Sequence, residues 1–441
     1  MGNRVFLTGA TGVMGMAGLK ELTRPNADYE VTVLARPSKK NRQKLAPFIN
    51  KGIKVIWGDL LDEKKLKEGI ASSDIVLHVG GMVSPQADKY PLETIKVNVG
   101  SMKLISSIVK DIESKGPDRE IKLVYIGSVS QYGSHLPPGH WGEVGRPLKP
   151  ALRDAYAYSK ILAERILIES DVKKWVSLRQ TSILHKGLLS KTNDPIMFHV
   201  PLAGVLEWIS VEDSGRLLER VCRNDVPDDF WCDIYNIGGG SSYRMDNFTF
   251  EKKIMKAVGC PSPDKIFERN WFATHNFHGI WFKDSDSLQK ILNFRSGETF
   301  DEALSKLKRE LPFYFKIAPI VPSIVIKMFM KKVAESSPLG TLHILNSCNK
   351  EMIDILWGGK DKQKSIGGWK DLDLPELSKE MKDTEKKDES KIIFDRTLHE
   401  KKCEKGHTYL SSEFLEKRGG HGCPACLREN AQIDIFQNNG C

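Results

Sequence analysis

No apolar run in this 441-residue chain is long enough to cross a bilayer. The longest stretch, Ile317 to Met330, is interrupted by Pro319, Pro322 and Lys327 and falls short of the roughly 20 residues a spanning helix needs. Closely spaced cysteines are also missing, since none of the eight sits near another within the first 400 residues. That excludes a disulfide scaffold and points to buried or free thiols in a reducing compartment, so a cytoplasmic setting is expected. No cleavable leader is read either, because Val5-Phe6-Leu7-Thr8 already has strand character and runs into a glycine turn. The formal charge of +9 is small for so long a chain. Such a bias does not argue for nucleic acid and is compatible with an anionic cofactor or a membrane surface.

What is present is an alternation of short β-branched runs with helical patterns. The runs are Arg4–Thr8, Glu30–Ala35, Lys54–Trp57, Ile75–Val79, Lys122–Ile126 and Trp175–Leu178. All-apolar strands separated by helices make an α/β fold, a doubly wound parallel sheet with helices on both faces and ligands at the strands' carboxyl ends. From about Asp246 the pattern becomes mostly helical, with amphipathic helices over Asn247–Val258 and Phe300–Leu311, and reads as a smaller substrate lobe. Residues 312–393 read as a helical and charged linker region, in which Ser378–Lys391 balances lysines against acids. Within it, Ile317–Met330 with its flanking lysines reads as a helix covering the main domain or making a dimer contact. The alternative for 317–332 is a place in a membrane interface.

Gly9-Ala10-Thr11-Gly12-Val13-Met14-Gly15 follows a strand and opens a helix, the context in which glycines let a backbone approach a pyrophosphate at a helix N-terminus. The second strand ends in Arg36, followed by Lys39, Lys40 and Arg42, with no acid nearby to hold a ribose 2′-hydroxyl. That favours NADP(H) over NAD(H). Asp59 reaches an adenine amine or caps a helix beginning near Leu60. Tyr156 and Lys160 lie four apart on one helix face, where the cation favours the phenolate and makes Tyr156 a candidate general acid/base.

In order along the chain stand Gly9–Gly15, Gly58-Asp59-Leu60, His78-Val79-Gly80-Gly81, Asn98-Val99, Ser128-Val129-Ser130-Gln131-Tyr132-Gly133, Tyr156–Lys160, Arg179 and Asn236-Ile237-Gly238-Gly239-Gly240. In this order and spacing they resemble the extended short-chain dehydrogenase/reductase superfamily, of the NAD-dependent epimerase/dehydratase type, over roughly Arg4–Leu311. The resemblance implies a Rossmann domain in 1–311, its substrate lobe largely 246–311, with NAD(P)-dependent oxidoreductase chemistry. Carried over, Ser128 holds the substrate oxygen, with Ser130 as substitute, Tyr156 passes the proton, and Lys160 lowers the Tyr156 pKa and binds the nicotinamide ribose. Cofactor contacts are implied for Gly9, Thr11, Gly12, Val13, Met14, Gly15, Arg36, Lys39, Asp59, Leu60, Val79, Gly80, Gly81 and Asn98. Gln180, Thr181 and Ser182 are expected beside the nicotinamide amide. Pairing into a homodimer through two long helices is implied as well.

The resemblance also narrows the chemistry. Dehydratases of this type carry an Asp-Glu pair where this chain has Val129-Ser130, and epimerases follow the Arg179 position with a Tyr, an Asn and a Gly-Pro turn where this chain has Gln180–His185. Hydride transfer between NADP(H) and a carbonyl or secondary alcohol remains. Trp208, Trp271, Phe272, Phe277, Trp281 and Phe282 suggest a small apolar or ring-containing substrate if they are not simply core. His275 and His278 near Asp284 read as structural before they read as site groups. The alternatives are a nucleotide-sugar epimerase and a cofactor-sensing binding protein.

Near the C-terminus, Cys403 and His407 precede Cys423-Pro424-Ala425-Cys426, four sulfur and nitrogen ligands suited to a closed, structural Zn²⁺ site. Residues 394–430 resemble small zinc-ribbon or treble-clef modules, which fold on metal rather than on apolar burial. Their partner is not encoded legibly.

Overall fold

Seven strands lie in one wholly parallel sheet: β1 (Asn3–Thr8), β2 (Tyr29–Ala35), β3 (Lys54–Trp57), β4 (Ile75–His78), β5 (Lys122–Ser128), β6 (Lys174–Gln180) and β7 (Asp233–Ile237). Their order is β7-β6-β5-β4-β1-β2-β3. The computed structural model describes residues 2–116, 118–135, 139–190, 194–311, 320–377, 399–411 and 423. Six of the strands fall where the alternation of apolar runs predicts them. β7 is the addition, visible beforehand only as the Asn236–Gly240 motif, because its Asp233 start interrupts the apolar pattern.

Side chains alternate across the sheet, so each strand feeds two cores. Val5, Leu7, Val33, Leu77, Val124 and Val176 share one core with Leu19 of α1 (Val13–Leu22). Phe6, Leu34, Val76, Leu123 and Tyr125 face the other, against Met102 and Ile105 of α4 (Pro91–Lys115) and Ala163 and Leu167 of α5 (Ala155–Ile168). Leu45 and Phe48 of α2 (Lys39–Ile49) join the first core, and Leu66 and Ile70 of α3 (Glu63–Ala71) join the second. Helix α3 starts later than expected. Asp62 caps it by accepting from Lys65 N at 3.1 Å, whereas Asp59 caps only the preceding turn by accepting from Leu61 N.

On the first face, α1 meets α6 (Val211–Arg220) almost backbone to backbone. A Cβ on Gly18 would lie 2.5 Å from Leu218, and one on Gly215 would lie 2.7 Å from Ala17. The contact fixes the axis of α1 and therefore the aim of its N-terminus, which sits over the crevice between β1 and β4 where the strand order reverses.

Helices α7 (Asn247–Ala257) and α8 (Phe300–Arg309) begin where expected. The expectation of a linker after residue 311 is corrected for its described part. Helix α9 (Ser323–Ala334) contributes Met330, Val333 and Ala334 to a core with Phe198, Phe267 and Phe272, and the Trp357 indole donates to the Phe272 carbonyl at 2.9 Å. The chain forms two compact units, Met1–Leu377 and Ser378–Cys441. Among the described residues no helix is long and apolar enough to cross a membrane.

Candidate active site

The glycine turn at the end of β1 is built for close approach. Gly9 has φ +76°, and a Cβ there would lie 2.6 Å from Gly80 N, while one on Gly15 would lie 2.3 Å from the Gly9 carbonyl. These two glycines lock the turn against itself and against the β4 loop. Gly12 is different: a Cβ there would meet only the Gly9 carbonyl, at 3.3 Å, so the turn's outer side is open at the N-terminus of α1, where no acid stands in the first turn. An exposed backbone at a helix N-terminus accommodates an anion such as a pyrophosphate. Thr11 and the exposed Val13 border the opening, but the Met14 side chain points into the core, leaving only its backbone to serve a cofactor.

Arg36 and Lys39 are exposed beyond the end of β2. Arg42 stacks over Trp57, 4.4 Å from the ring centroid. Sequence reasoning passed over Lys44, whose Nζ donates to the Thr11 carbonyl at 2.7 Å and brings a cation to the turn itself. Leu60 touches the Gly80 position, so Leu60, Val79 and Gly80 border the crevice together. Gly81 stands against Asn98 Oδ1, 2.9 Å from where its Cβ would be. The Asn98 amide is otherwise engaged: Oδ1 accepts from Met82 N at 2.7 Å, and Nδ2 donates to Met82 O and to Ser159 Oγ. These bonds pin the loop after β4 to α4 and α5.

Ser128 ends β5, and Tyr156 and Lys160 lie on α5. The Ser128 hydroxyl bonds the Tyr156 phenol and also accepts from Ser130 Oγ at 2.9 Å, so both candidate serines sit at one point. Lys160 is buried, with Nζ 5.8 Å from the Tyr156 ring centroid and donating to the Ile126 carbonyl at 2.7 Å. The expected depression of the Tyr156 pKa does not appear. Burial pushes the phenol up to about 12 despite the Ser128 hydrogen bond, because the Lys160 ammonium is aimed at the Ile126 carbonyl. The shifted group is Lys160 itself, drawn down to about 8 by burial although Glu164 opposes the change. Buried His78 bridges Thr8 Oγ1 and Ser101 Oγ and is held neutral by burial and by Lys160, with its pKa near 3.

Beneath the triad runs a buried polar chain. Glu164, one turn beyond Lys160, takes Arg179 of β6 in two contacts, Nη2 to Oε1 at 2.5 Å and Nε to Oε2 at 3.0 Å. Ser177 donates to the same carboxylate. Arg179 Nη1 donates to the Tyr132 hydroxyl, which donates to Asn236 Oδ1, and Asn236 donates to Asp284. Burial opposes ionisation of Glu164, yet Arg179 holds its pKa below the ordinary range. Tyr132 closes the 3₁₀ turn Val129–Tyr132 that Ser128 caps, so this chain fixes the serine and the Tyr-Lys helix to one frame.

Gln180 and Thr181 turn into the protein. Gln180 Nε2 donates to the Thr181 carbonyl, and Thr181 Oγ1 donates to the Glu207 carbonyl. Of the three residues expected at the nicotinamide amide, only Ser182 faces a cavity, one of about 1000 Å³ that Ser84, Ser134, Trp208 and Phe277 also line. Trp271, Phe272, Trp281 and Phe282 are core. The cavity draws on α7 and α9 as well as on earlier loops, and among its described lining residues there is no Lys or Arg. Two of the histidines that line it, His135 and His278, are held neutral, both near 4, chiefly by burial. Two carboxyl groups line the cavity, Asp194 and Glu251 of α7, and burial pushes Glu251 up to about 7.

In the second unit, β8 (His399–Lys402) and β9 (Thr408–Ser411) form an antiparallel hairpin whose turn runs from Cys403 to His407. The ligand atoms of Cys403, His407 and Cys423 lie within 4.8 Å of one another. Cys426 lies outside the described residues.

A doubly wound sheet, a glycine turn at its switch point and a Ser-Tyr-Lys cluster beside it define a nucleotide-binding fold of the extended short-chain dehydrogenase/reductase type. The model of the NAD dependent epimerase/dehydratase family matches residues 5–184. A UDP-glucose 4-epimerase of Rickettsia massiliae (strain Mtu5) is 28% identical over 116 residues, 25% of this chain and 34% of that protein. The chain spans a quarter to a third of the length of the curated relatives it matches first. A dTDP-glucose 4,6-dehydratase from Bacillus anthracis solved with NAD has TM-score 0.56 at 15% identity, covering 75% of this chain and 99% of that one. A UDP-glucose 4-epimerase from Bifidobacterium longum solved with NAD+ and UDP has TM-score 0.54 at 20% identity, covering 72% and 99%. At those identities the likeness is one of fold.

Two measurements check the site's physics. Arg179→Met leaves Glu164 charged and buried, and urea unfolding is expected to show a loss of about 3–5 kcal/mol. Glu251 has a folded pKa raised from 4.5 to about 7, so its cost to stability is absent below about pH 4.5, grows through that window and is complete above about pH 7. Glu251→Gln is therefore expected to melt with the wild type near pH 4.5 and above it near pH 8.

Proposed function

We propose that the chain is an NADP(H)-dependent reductase of a carbonyl on a small, largely apolar substrate. The observation that carries this is the cavity beside Ser182, mostly apolar, without a described Lys or Arg, and holding two carboxyl groups of its own, Asp194 and Glu251. A nucleotide sugar brings a diphosphate, and burying that charge without a cation costs too much to be tolerated. The epimerase reading, favoured by the names of the relatives, lacks that feature here. Arg36, Lys39 and Lys44 around the glycine turn, with no acid at the end of β2, support NADP over NAD.

When bound, the reduced nicotinamide supplies a hydride to the carbonyl carbon. Ser128 donates a hydrogen bond to the carbonyl oxygen and orients it. Tyr156, protonated at neutral pH with its pKa raised further by burial, delivers the proton to that oxygen as the alcohol forms. Lys160, with a pKa near 8, is poised to move a proton back toward the phenol. The apolar lining excludes water and favours the neutral product.

Purified protein is expected to consume NADPH steadily with apolar aldehydes or ketones and to leave UDP-sugars unchanged. Interconversion of UDP-sugars without net cofactor turnover would reverse the assignment. Tyr156→Phe is expected to lower kcat by about 10²–10⁴ with little change in NADPH affinity. Arg36→Ala is expected to raise KM for NADPH while sparing NADH.

The cluster of Cys403, His407 and Cys423 supports a structural Zn²⁺, since two thiolates and an imidazole suit that ion, with Cys426 as the fourth ligand. Metal analysis is expected to find one zinc per chain, lost in Cys423→Ser together with protection of the C-terminal unit from protease.

A further inference from the structure

Helix α9 has two apolar faces. Ile326, Met330, Val333 and Ala334 pack inward, as an amphipathic helix requires. The opposite face carries Ile324, Val325, Met328 and Phe329, each 50–63% exposed, and Ile320 just before the helix is 79% exposed. Scattered apolar side chains on a surface are ordinary, but five on one short segment make a patch that marks an interaction site.

The patch has a chemistry of its own. The helix contains three lysines and no acid. At 100° per residue, Lys332 falls within the exposed apolar arc, and Lys331 and Lys327 fall along its edge. Lys327 is paired with Glu268 and Lys331 lies 3.8 Å from Glu335, but Lys332 has no acidic partner among the described residues. Apolar side chains bordered by lysines are how a helix lies in the headgroup layer of an anionic bilayer. A second protein copy would call for acids opposite these lysines.

The same helix walls the substrate cavity. Ile326, Phe329 and Met330 line it, with Val321 just before the helix, and Phe329 is also half exposed. The rim of the cavity therefore meets the exposed patch at Phe329. We infer that α9 docks the protein on an anionic lipid surface and that the cavity mouth beside Phe329 receives a lipid-class carbonyl compound directly from that surface. The identity of the substrate rests on the reductase reading above, whereas docking rests on the helix alone.

The test uses the full chain with vesicles of phosphatidylcholine, with and without phosphatidylserine. Wild type is expected to co-sediment with the anionic vesicles and to be released by salt. The Ile324→Glu/Met328→Glu variant, changed only at exposed positions, is expected to keep its circular dichroism and lose vesicle affinity by at least about tenfold. Lys332→Glu is expected to weaken binding with its fold intact. A long-chain ketone supplied in anionic vesicles is expected to be reduced more slowly by the double variant, while a short water-soluble ketone is reduced equally by both. Failure of wild type to bind anionic vesicles, or equal binding by the double variant, would overturn the inference. So would a wild-type dimer that the double variant converts to monomer without any difference toward vesicles. Failure to reduce the soluble ketone would sink the reductase reading separately.

Discussion

The candidate site hangs on the buried pairing of Glu164 with Arg179. Each charge alone would be costly in the interior, and each is held by the other through two contacts. Glu164 belongs to the helix that carries Tyr156 and Lys160, and Arg179 belongs to the strand next to Ser128. The pair therefore sets the separation between phenol and serine hydroxyl, and Tyr132 extends the same frame into the serine's own turn. A pair that stabilises little in net terms can still be what makes the geometry unique.

The electrostatics above that frame favour a proton donor over a phenolate. Burial raises Tyr156, and Lys160 spends its ammonium on the Ile126 carbonyl. A neutral phenol hydrogen-bonded to a serine suits delivery of a proton to a carbonyl. The neighbouring cavity agrees, since His135 and His278 in its wall are neutral and its lining is mostly hydrocarbon. Site and cavity thus favour the same chemistry from independent features.

Much of this was legible in the sequence because the chemistry is local there. The glycine turn follows its strand directly, and Tyr156 and Lys160 share a helix face by spacing alone. What was hidden depends on contacts between distant segments. That Asn98 holds a loop was not legible, because its partners Met82 and Ser159 lie on other elements. Glu164 was signalled by standing four residues after Lys160, but its partner Arg179 could be placed only by the sheet register. Glu251 is unremarkable on an amphipathic helix until the fold encloses it. The charged look of 320–377 concealed the apolar faces by which those helices join the core.

Net hydride transfer from NADPH to an apolar carbonyl at the Ser128-Tyr156-Lys160 cluster separates the proposed reductase from an epimerase. Reduction with NADPH deuterated at the transferable position, followed by mass spectrometry of the products, tests it most directly. The expected result is an alcohol one mass unit heavier in stoichiometric yield, formed by the wild type and essentially absent with Tyr156→Phe. Deuterium that stays on the cofactor while a UDP-sugar changes configuration would contradict it.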